Sequence, residues 1–408
     1  MKNLMSLFRE EYDGVVGDSG SVWSRRIVLR LTLLLVVFVL EGCAHTLAPK
    51  LESSHTQICA PDGQDCLVRG HKAFEDYHRL KVETIQYKSL GYRLPGAPVA
   101  FIHPVRTEYS ALLIHGLNDS AYYMADLGES LHRSGLNVVT VLLPGHGTDT
   151  RDMLDVTTEQ WRTEVDKGLE MAALVGKKVI VGGFSLGGAL AIDAVTRRPD
   201  IHGLLLFSPA IKLRSFDTIS SLMCAPGLRT YERKTDLPQN PVKYKYRMGN
   251  GACQLIRLMK RNLTASNATE NRMVIASEQL RELARRVKVP TFMALSYADE
   301  RISPEAALEF AHNVQAPVLV ATFGKTENES TAPLSGTVKI LPLSDTGLQH
   351  SYLVRRSNPY NGQENPCYDT LASVMTGFLS EQLYLDTGSS DTSHPNCEPI
   401  SEELQKPD

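Results

Sequence analysis

The sequence predicts an α/β fold with a mostly parallel sheet covered by helices on both faces. Three observations carry this expectation. Short apolar, β-branched runs alternate with stretches of helical periodicity, the pattern of successive βαβ units. Asn137 to Leu143 is almost wholly apolar, as a strand buried on both faces should be. The run Val179-Ile180-Val181 stops abruptly in Gly183-Phe184-Ser185-Leu186-Gly187, and Ala189 to Ala194 then reads as a helix.

The elements follow in order. Val82–Tyr87 and Val99–Ile102 read as opening strands, and Ala111–His115 as a short buried strand ending in His115-Gly116-Leu117. A helix is expected from Tyr122 to His132, with Leu127 and Leu131 at helical spacing. The Asn137–Leu143 strand ends in the loop Pro144-Gly145-His146-Gly147, and Thr158–Leu174 forms a helix with Trp161, Val165 and Leu169 on one face. The strand before Ser185 and its helix precede a strand at His202–Ser208. Residues 211–287 then lose strand rhythm but keep many apolar side chains, and read as a helical insertion over the sheet. Strands resume at Pro290–Tyr297, Val318–Thr322 and Val338–Leu341, and the helix Tyr368–Leu383 closes the domain. The expected divisions are 1–42, a signal peptide; 43–80, a tether and N-terminal segment; 81–210, the first part of the core. After these come 211–287, the insertion; 288–385, the second part of the core; and 386–408, a polar tail.

Composition places the chain among ordinary globular proteins: 408 residues, 42% hydrophobic and 22% charged, with a net charge of −3. That charge argues against an electrostatic nucleic-acid binder. Near the start, Arg25, Arg26 and Arg30 flank an apolar run whose uncharged stretch, Leu31 to Leu40, is too short to span a bilayer comfortably. It suits the core of a signal peptide. Leu40-Glu41-Gly42-Cys43 resembles the lipobox of bacterial lipoproteins, with Glu41 an unusual occupant, and that resemblance implies lipidation at Cys43. Ser24 to Arg30 also resembles a twin-arginine export signal, with Val28 in place of Phe. If Cys43 carries lipid, six cysteines remain, an even number suited to an oxidising compartment. Fifteen connectivities are open; sequence proximity favours Cys59–Cys66, Cys224–Cys253 and Cys367–Cys397. No clustered Cys/His spacing points to a metal.

Gly183-Phe184-Ser185-Leu186-Gly187 carries the chemistry. A serine on a sharp strand-to-helix turn has its hydroxyl lifted clear of the sheet, and side chains at either glycine would crowd it. Its hydroxyl needs a base to take its proton and a carboxylate to orient that base. The chain order expected for such a turn is serine, acid, histidine. Of the downstream histidines, His202 opens a buried strand, His312 falls in a helix and His394 lies in the tail. That leaves His350, which follows a strand by a short loop. Asp299 lies just past the Pro290–Tyr297 strand, where an open α/β sheet places active residues; Glu300 and Asp345 are its rivals. Two main-chain N–H groups, of Leu117 and Leu186, are the expected oxyanion donors. His115 and His146 read as structural residues that hold loops.

Together His115-Gly116-Leu117, Leu143 to Thr148, Trp161, Gly183 to Gly188, Asp299 and His350 resemble the α/β-hydrolase superfamily. The similarity is to its monoacylglycerol lipase and small carboxylesterase branch, over roughly Val82 to Leu383. The long interval between Asp299 and His350, with its polar Gly324–Ser335 loop, departs from the pattern. The resemblance implies an α/β-hydrolase fold with the 211–287 insertion as a lid, and cleavage of carboxylic esters, monoacylglycerol or another acyl ester, through acyl-Ser185. Neither a metal nor an organic cofactor is required by such chemistry. Expected partners are a small acyl-ester or lipid substrate and a membrane reached through the lipid anchor. Ala44 after the cysteine favours the outer membrane of a two-membrane bacterium. Two alternatives stay open: the same triad acting on a thioester, lactone or peptide, and a hydrolase fold used as a binding scaffold.

Overall fold

The computed structural model describes residues 59–383, apart from 61, 215–223, 235–239, 245, 264–276, 325–337 and 361. The chain divides into residues 1–58 and 59–408, and only the second part contains described residues. The signal segment, Cys43, Cys397 and the 386–408 tail lie outside them, as does nearly all of the 324–335 loop.

Among the described residues the first element is a helix, α1 (Gln64–Ser89), where Val82–Tyr87 reads as a strand. The β-branched and aromatic residues Val82, Thr84, Ile85 and Tyr87 favour a strand locally. Over the longer stretch the buried positions Leu67, Gly70, Phe74 and Ile85 follow helical spacing. Strand β1 (Ala100–Phe101) is followed by β2 (Thr107–Ile114), α2 (Ala125–Arg133) and β3 (Asn137–Val141). Helix α3 (Thr158–Val175) starts at a capping box. Thr157 Oγ1 accepts from the Gln160 N–H, and Gln160 Oε1 accepts from the Thr157 N–H. Then come β4 (Gly176–Phe184), α4 (Leu186–Arg197) and β5 (Ile201–Phe207).

Between β5 and its sheet neighbour the chain makes the insertion. It contains α5 (Pro226–Arg229), strands β6 (Glu232–Lys234) and β7 (Tyr246–Met248), α6 (Gly249–Leu263) and α7 (Ser277–Arg285). Strands β6 and β7 pair antiparallel over three residues each, where the sequence shows no strand rhythm; strands this short leave no readable alternation. The second part of the core supplies β8 (Thr291–Ser296), α8 (Pro304–Ala311), β9 (Val318–Phe323), β10 (Val338–Ser344) and α9 (Tyr368–Leu383).

The sheet runs β1-β3-β2-β4-β5-β8-β9-β10. All its pairings are parallel except β1 with β3. Each face carries its own apolar layer. Trp161, Val165 and Leu169 of α3, Leu190 of α4 and Phe310 of α8 cover one. Leu127 and Leu131 of α2 with Phe378 and Leu379 of α9 cover the other. Both sides of the strands are thus dry, which is why β4 and β8 read as continuous apolar runs. Parallel strands also deliver all their carboxyl ends to one edge, where loops collect. Two disulfides, Cys59–Cys66 and Cys224–Cys253, match the expected pairs; the third expectation involves Cys397, outside the described residues.

Candidate active site

Ser185 sits between β4 and α4 with φ 55° and ψ −112°, a conformation rare for any L residue. Its surroundings hold it there: its N–H donates to Phe207 O at 3.0 Å, and its carbonyl accepts from the N–H groups of Ala189 and Ala210. The flanking glycines permit the turn. A Cβ on Gly183 would lie 2.2 Å from the Gly187 carbonyl carbon, and one on Gly187 would lie 2.0 Å from Ile114 O. Neither backbone can give way.

The carboxyl edge brings Ser185, His350 and Asp299 together. His350 Nε2 lies 2.9 Å from Ser185 Oγ, and His350 Nδ1 lies 2.6 Å from Asp299 Oδ2. A carboxylate only accepts, so Nδ1 carries the proton and Nε2 is left to accept from the serine hydroxyl. Asp299 follows β8 and is 2% exposed. Burial pushes its carboxyl upward, but the His350 hydrogen bond and charge, with the N–H groups of Arg301 and Ile302 on Oδ1, outweigh it and hold the carboxyl below its usual range. Glu300 and Asp345, the rival acids, are both exposed. His350 opens a 3-10 turn (His350–Val354), and the Phe184 ring packs on its imidazole at 4.7 Å between centroids.

Two residues missed by the sequence reading bind this arrangement. Ser296, the last residue of β8 and 1% exposed, accepts at Oγ from Leu348 N–H at 2.8 Å and from Ala298 N–H at 3.2 Å. One hydroxyl therefore ties the loop of Asp299 to the loop of His350. The only signal was a hydroxyl ending an apolar strand. Phe184, the variable position of the Gly-x-Ser-x-Gly motif, was the other.

Leu186 is the first residue of α4, so its N–H precedes the helix's internal bonding. Among the described residues the Leu117 N–H makes no hydrogen bond. Its loop is held from several sides. His115 is fully buried; its Nδ1 donates to Gly116 O and its Nε2 accepts from Leu143 N–H at 3.1 Å. Tyr244 N–H donates to Asn118 O, and Ser120 Oγ to Val242 O. His146 packs edge-on against His115 at 4.9 Å, and its Nδ1 donates to Pro144 O, which also accepts from Trp161 Nε1. Burial drives the His115 pKa down to about 4. Burial, together with the nearby His115, drives that of His146 down to about 3. Both rings are neutral braces, as their sequence context implied.

The insertion is tied to the same edge. Asn250 of α6 donates through Nδ2 to the carbonyls of Met153 and Val156, while its Oδ1 accepts from Arg229 Nε and Gln254 Nε2. A Cβ on Gly251 would stand 3.1 Å from Met153 and 3.2 Å from Leu117. Helix α6 therefore lies directly against the Leu117 loop. Among the described residues no group of three or more His, Cys, Asp or Glu could hold a metal.

A hydroxyl bonded to an imidazole that is itself held by a buried carboxylate can act as a nucleophile. Proteins similar to this chain are hydrolases by name. The thermostable monoacylglycerol lipase of Bacillus sp. (strain H-257) is 30% identical over 102 residues, 25% of this chain and 41% of that protein. Phospholipase YtpA of Bacillus subtilis (strain 168) is 34% identical over 106 residues, again 25% and 41%. The chain thus spans about two fifths of the length of these curated relatives. A solved structure of the metagenome-derived lipolytic enzymes LipS and LipT shares the fold. It has TM-score 0.50 and 18% identity, over 69% of this chain and 96% of that one. The Hydrolase_4 pattern, described as serine aminopeptidase, S33, matches residues 107–322, more than half of the 408, and the chain belongs to that family.

Proposed function

We propose that the protein is an exported serine hydrolase that cleaves carboxylic esters. The observation that carries this reading is the line from Ser185 Oγ through His350 to Asp299, at 2.9 and 2.6 Å. His350 takes the Ser185 proton as the oxygen attacks the ester carbonyl. The oxyanion that forms is met by the N–H groups of Leu186 and Leu117. As the intermediate collapses, His350 returns the proton to the departing alcohol, leaving acyl-Ser185. Water, deprotonated by the same imidazole, then releases the carboxylic acid. Asp299 keeps the ring in the right tautomer and stabilises its cation.

The substrate class in this proposal is a monoacylglycerol or a related lipid ester. Support comes from two relatives whose names are those of lipid-ester hydrolases and from the amphipathic helix α6, which packs at Gly251 against Leu117. Localisation to the cell envelope through lipid on Cys43 belongs to the same proposal and rests on the lipobox-like Leu40 to Cys43. Loss of metabolic palmitate labelling in Cys43→Ala is its test. A peptidase is the second reading, favoured by the family's description as serine aminopeptidase.

The full chain and its Ser185→Ala variant decide between these readings. Expected are fluorophosphonate labelling of the parent only and p-nitrophenyl ester hydrolysis that falls by roughly 10⁴-fold or more in the variant. Hydrolysis of aminoacyl p-nitroanilides without ester turnover would favour the peptidase. An unlabelled but folded parent would make the protein a binding scaffold.

A further inference from the structure

The insertion is laced to the proposed oxyanion loop by three consecutive residues on each side. Asn118 O accepts from Tyr244 N–H at 3.0 Å, Asp119 Oδ1 faces Lys243 Nζ at 3.0 Å, and Ser120 Oγ donates to Val242 O at 2.9 Å. The loop itself is a tight turn, closed by Asp119 N–H on Gly116 O, with Asn118 at φ 63°. Asparagine tolerates that left-handed backbone better than most residues. The insertion's side is fastened in turn. Tyr244 Oη donates to Gly145 O and accepts from Thr148 N–H, and the Arg93 guanidinium lies 4.6 Å from the centre of the Tyr244 ring.

Between these bonds sits a charge pair in a place where charge matters. The side chains of Lys243 and Asp119 are 15% and 3% exposed. Among the described residues Asp119 Oδ1 accepts no aligned hydrogen bond and pairs with no other cation, so the Lys243 ammonium alone balances its charge. The carboxylate also lies against the residue before Leu117: a Cβ on Gly116 would stand 2.7 Å from Asp119 Oδ2. An oxyanion met by the Leu117 N–H would therefore form near it. A bare carboxylate there opposes the developing negative charge, and a paired one does not.

We propose that Lys243 is a positioning residue for the reaction: it neutralises Asp119 and seats the turn that aims the Leu117 N–H at the oxyanion. The inference deepens the serine-hydrolase reading and rests on it. Because the oxyanion is absent from the ground state, loss of Lys243 is felt in kcat and hardly in KM. It also carries a pH signature. Among the described residues the titratable groups facing Asp119 are Lys243, His146 and Tyr123, whose ring centre lies 5.3 Å from the ammonium. His146 is already neutral, and burial holds the Tyr123 hydroxyl in its protonated form. Without the ammonium the buried carboxyl keeps a proton at low pH and is charged at high pH. The deficit therefore deepens as pH rises.

The test compares full-chain variants in p-nitrophenyl butyrate turnover and in affinity for an alkyl trifluoromethyl ketone. Ser185 Oγ adds to that ketone as His350 takes its proton, which leaves a stable oxyanion in the site. Lys243→Met and Lys243→Gln, the second still able to donate to Asp119, are expected to lose roughly ten- to a hundredfold in kcat, no more than removal of one donor costs. Ketone affinity falls in parallel, KM moves by less than about twofold, and the loss relative to the parent grows from about pH 6 to about pH 9. Lys243→Arg restores most of the rate. Asp119→Asn loses less than Lys243→Met, and Asp119→Asn/Lys243→Met recovers most of the loss, since no charge is left to balance. Equal losses in the two single variants without recovery in the double would overturn the proposal, as would a deficit that does not change with pH. Failure of both neutral lysine variants to fold would overturn it too, making the pair a support of the fold. A parent that cleaves only aminoacyl p-nitroanilides, with ketone affinity still dependent on Lys243, would remove the ester reading and leave this one standing. A parent that forms no adduct would overturn both.

Discussion

Ser296 has a larger part in the site than its place in the sequence implies. Its hydroxyl accepts from the main chain of both the Asp299 loop and the His350 loop. Ser296→Ala leaves the buried Leu348 N–H without its acceptor and frees the part-buried Ala298 N–H, at a cost of about 1–3 kcal/mol to stability. The expected kinetic outcome is a lower kcat with little change in KM, because the two loops lose register while the substrate pocket stays. Urea unfolding with p-nitrophenyl butyrate kinetics checks both, and a variant with parental kcat would reduce Ser296 to a packing residue. The motif, the loop-after-strand position and the elimination of other histidines were enough to name Ser185, Asp299 and His350. They could not name Ser296. A triad residue is marked by the chemistry it must do, whereas a hydroxyl that organises main chain looks like any serine ending a strand.

At the scale of elements, α1 was the main misreading, and its packing shows why. Its buried face is partly polar: Tyr77 OH donates to Glu164 Oε1 of α3 at 2.9 Å and accepts from Leu142 N–H, while Lys81 pairs with Glu164 and donates to Leu142 O. Hydrophobic periodicity cannot register a face that packs through a lysine and a tyrosine. The strands were easier, since a parallel strand dry on both sides has little choice but an apolar run. This pair of charges is mostly buried, with Glu164 6% and Lys81 18% exposed at the side chain. Without Lys81, Glu164 keeps only the Tyr77 hydroxyl and the exposed Lys167 at 3.6 Å. Lys81→Met is expected to lower stability by up to about 3 kcal/mol, and Lys81→Met with Glu164→Leu to recover part of the loss. Guanidinium unfolding of the single and double variants reads the coupling. Simple additivity would mean that α1 is held by its apolar contacts alone.

Across the whole molecule, the neutral histidines make stability depend on pH in a defined direction. His115 titrates near 4 and His146 near 3 when folded, against 6.5 for an ordinary imidazole. Above about 6.5 both are neutral whether the chain is folded or not, and pH has no leverage through them. Below it the unfolded chain takes up protons that the folded chain refuses, so stability falls as pH falls, and stops falling through each group once pH passes its folded value. For His115 the loss across that window is on the order of 3 kcal/mol, at up to about 1.4 kcal/mol per pH unit. His146 extends the loss to lower pH, and the two are not additive, because each ring's charge would raise the cost of the other's. Asp299, held below 3.8, acts only under more acid conditions, so the range from pH 6.5 to 4.5 stands clear of it. The expected result is a urea midpoint that declines steadily from pH 6.5 to 4.5. His146→Asn, whose amide nitrogen can keep the bond to Pro144 O, should start less stable but decline more gently over the same range. Equal slopes in the two proteins would place the acid sensitivity elsewhere. A gentler slope would mean that the pair bracing the Leu117 loop also sets the acid limit of the fold, since the burial that keeps both rings neutral is the same burial that holds the loop against β3 and α3.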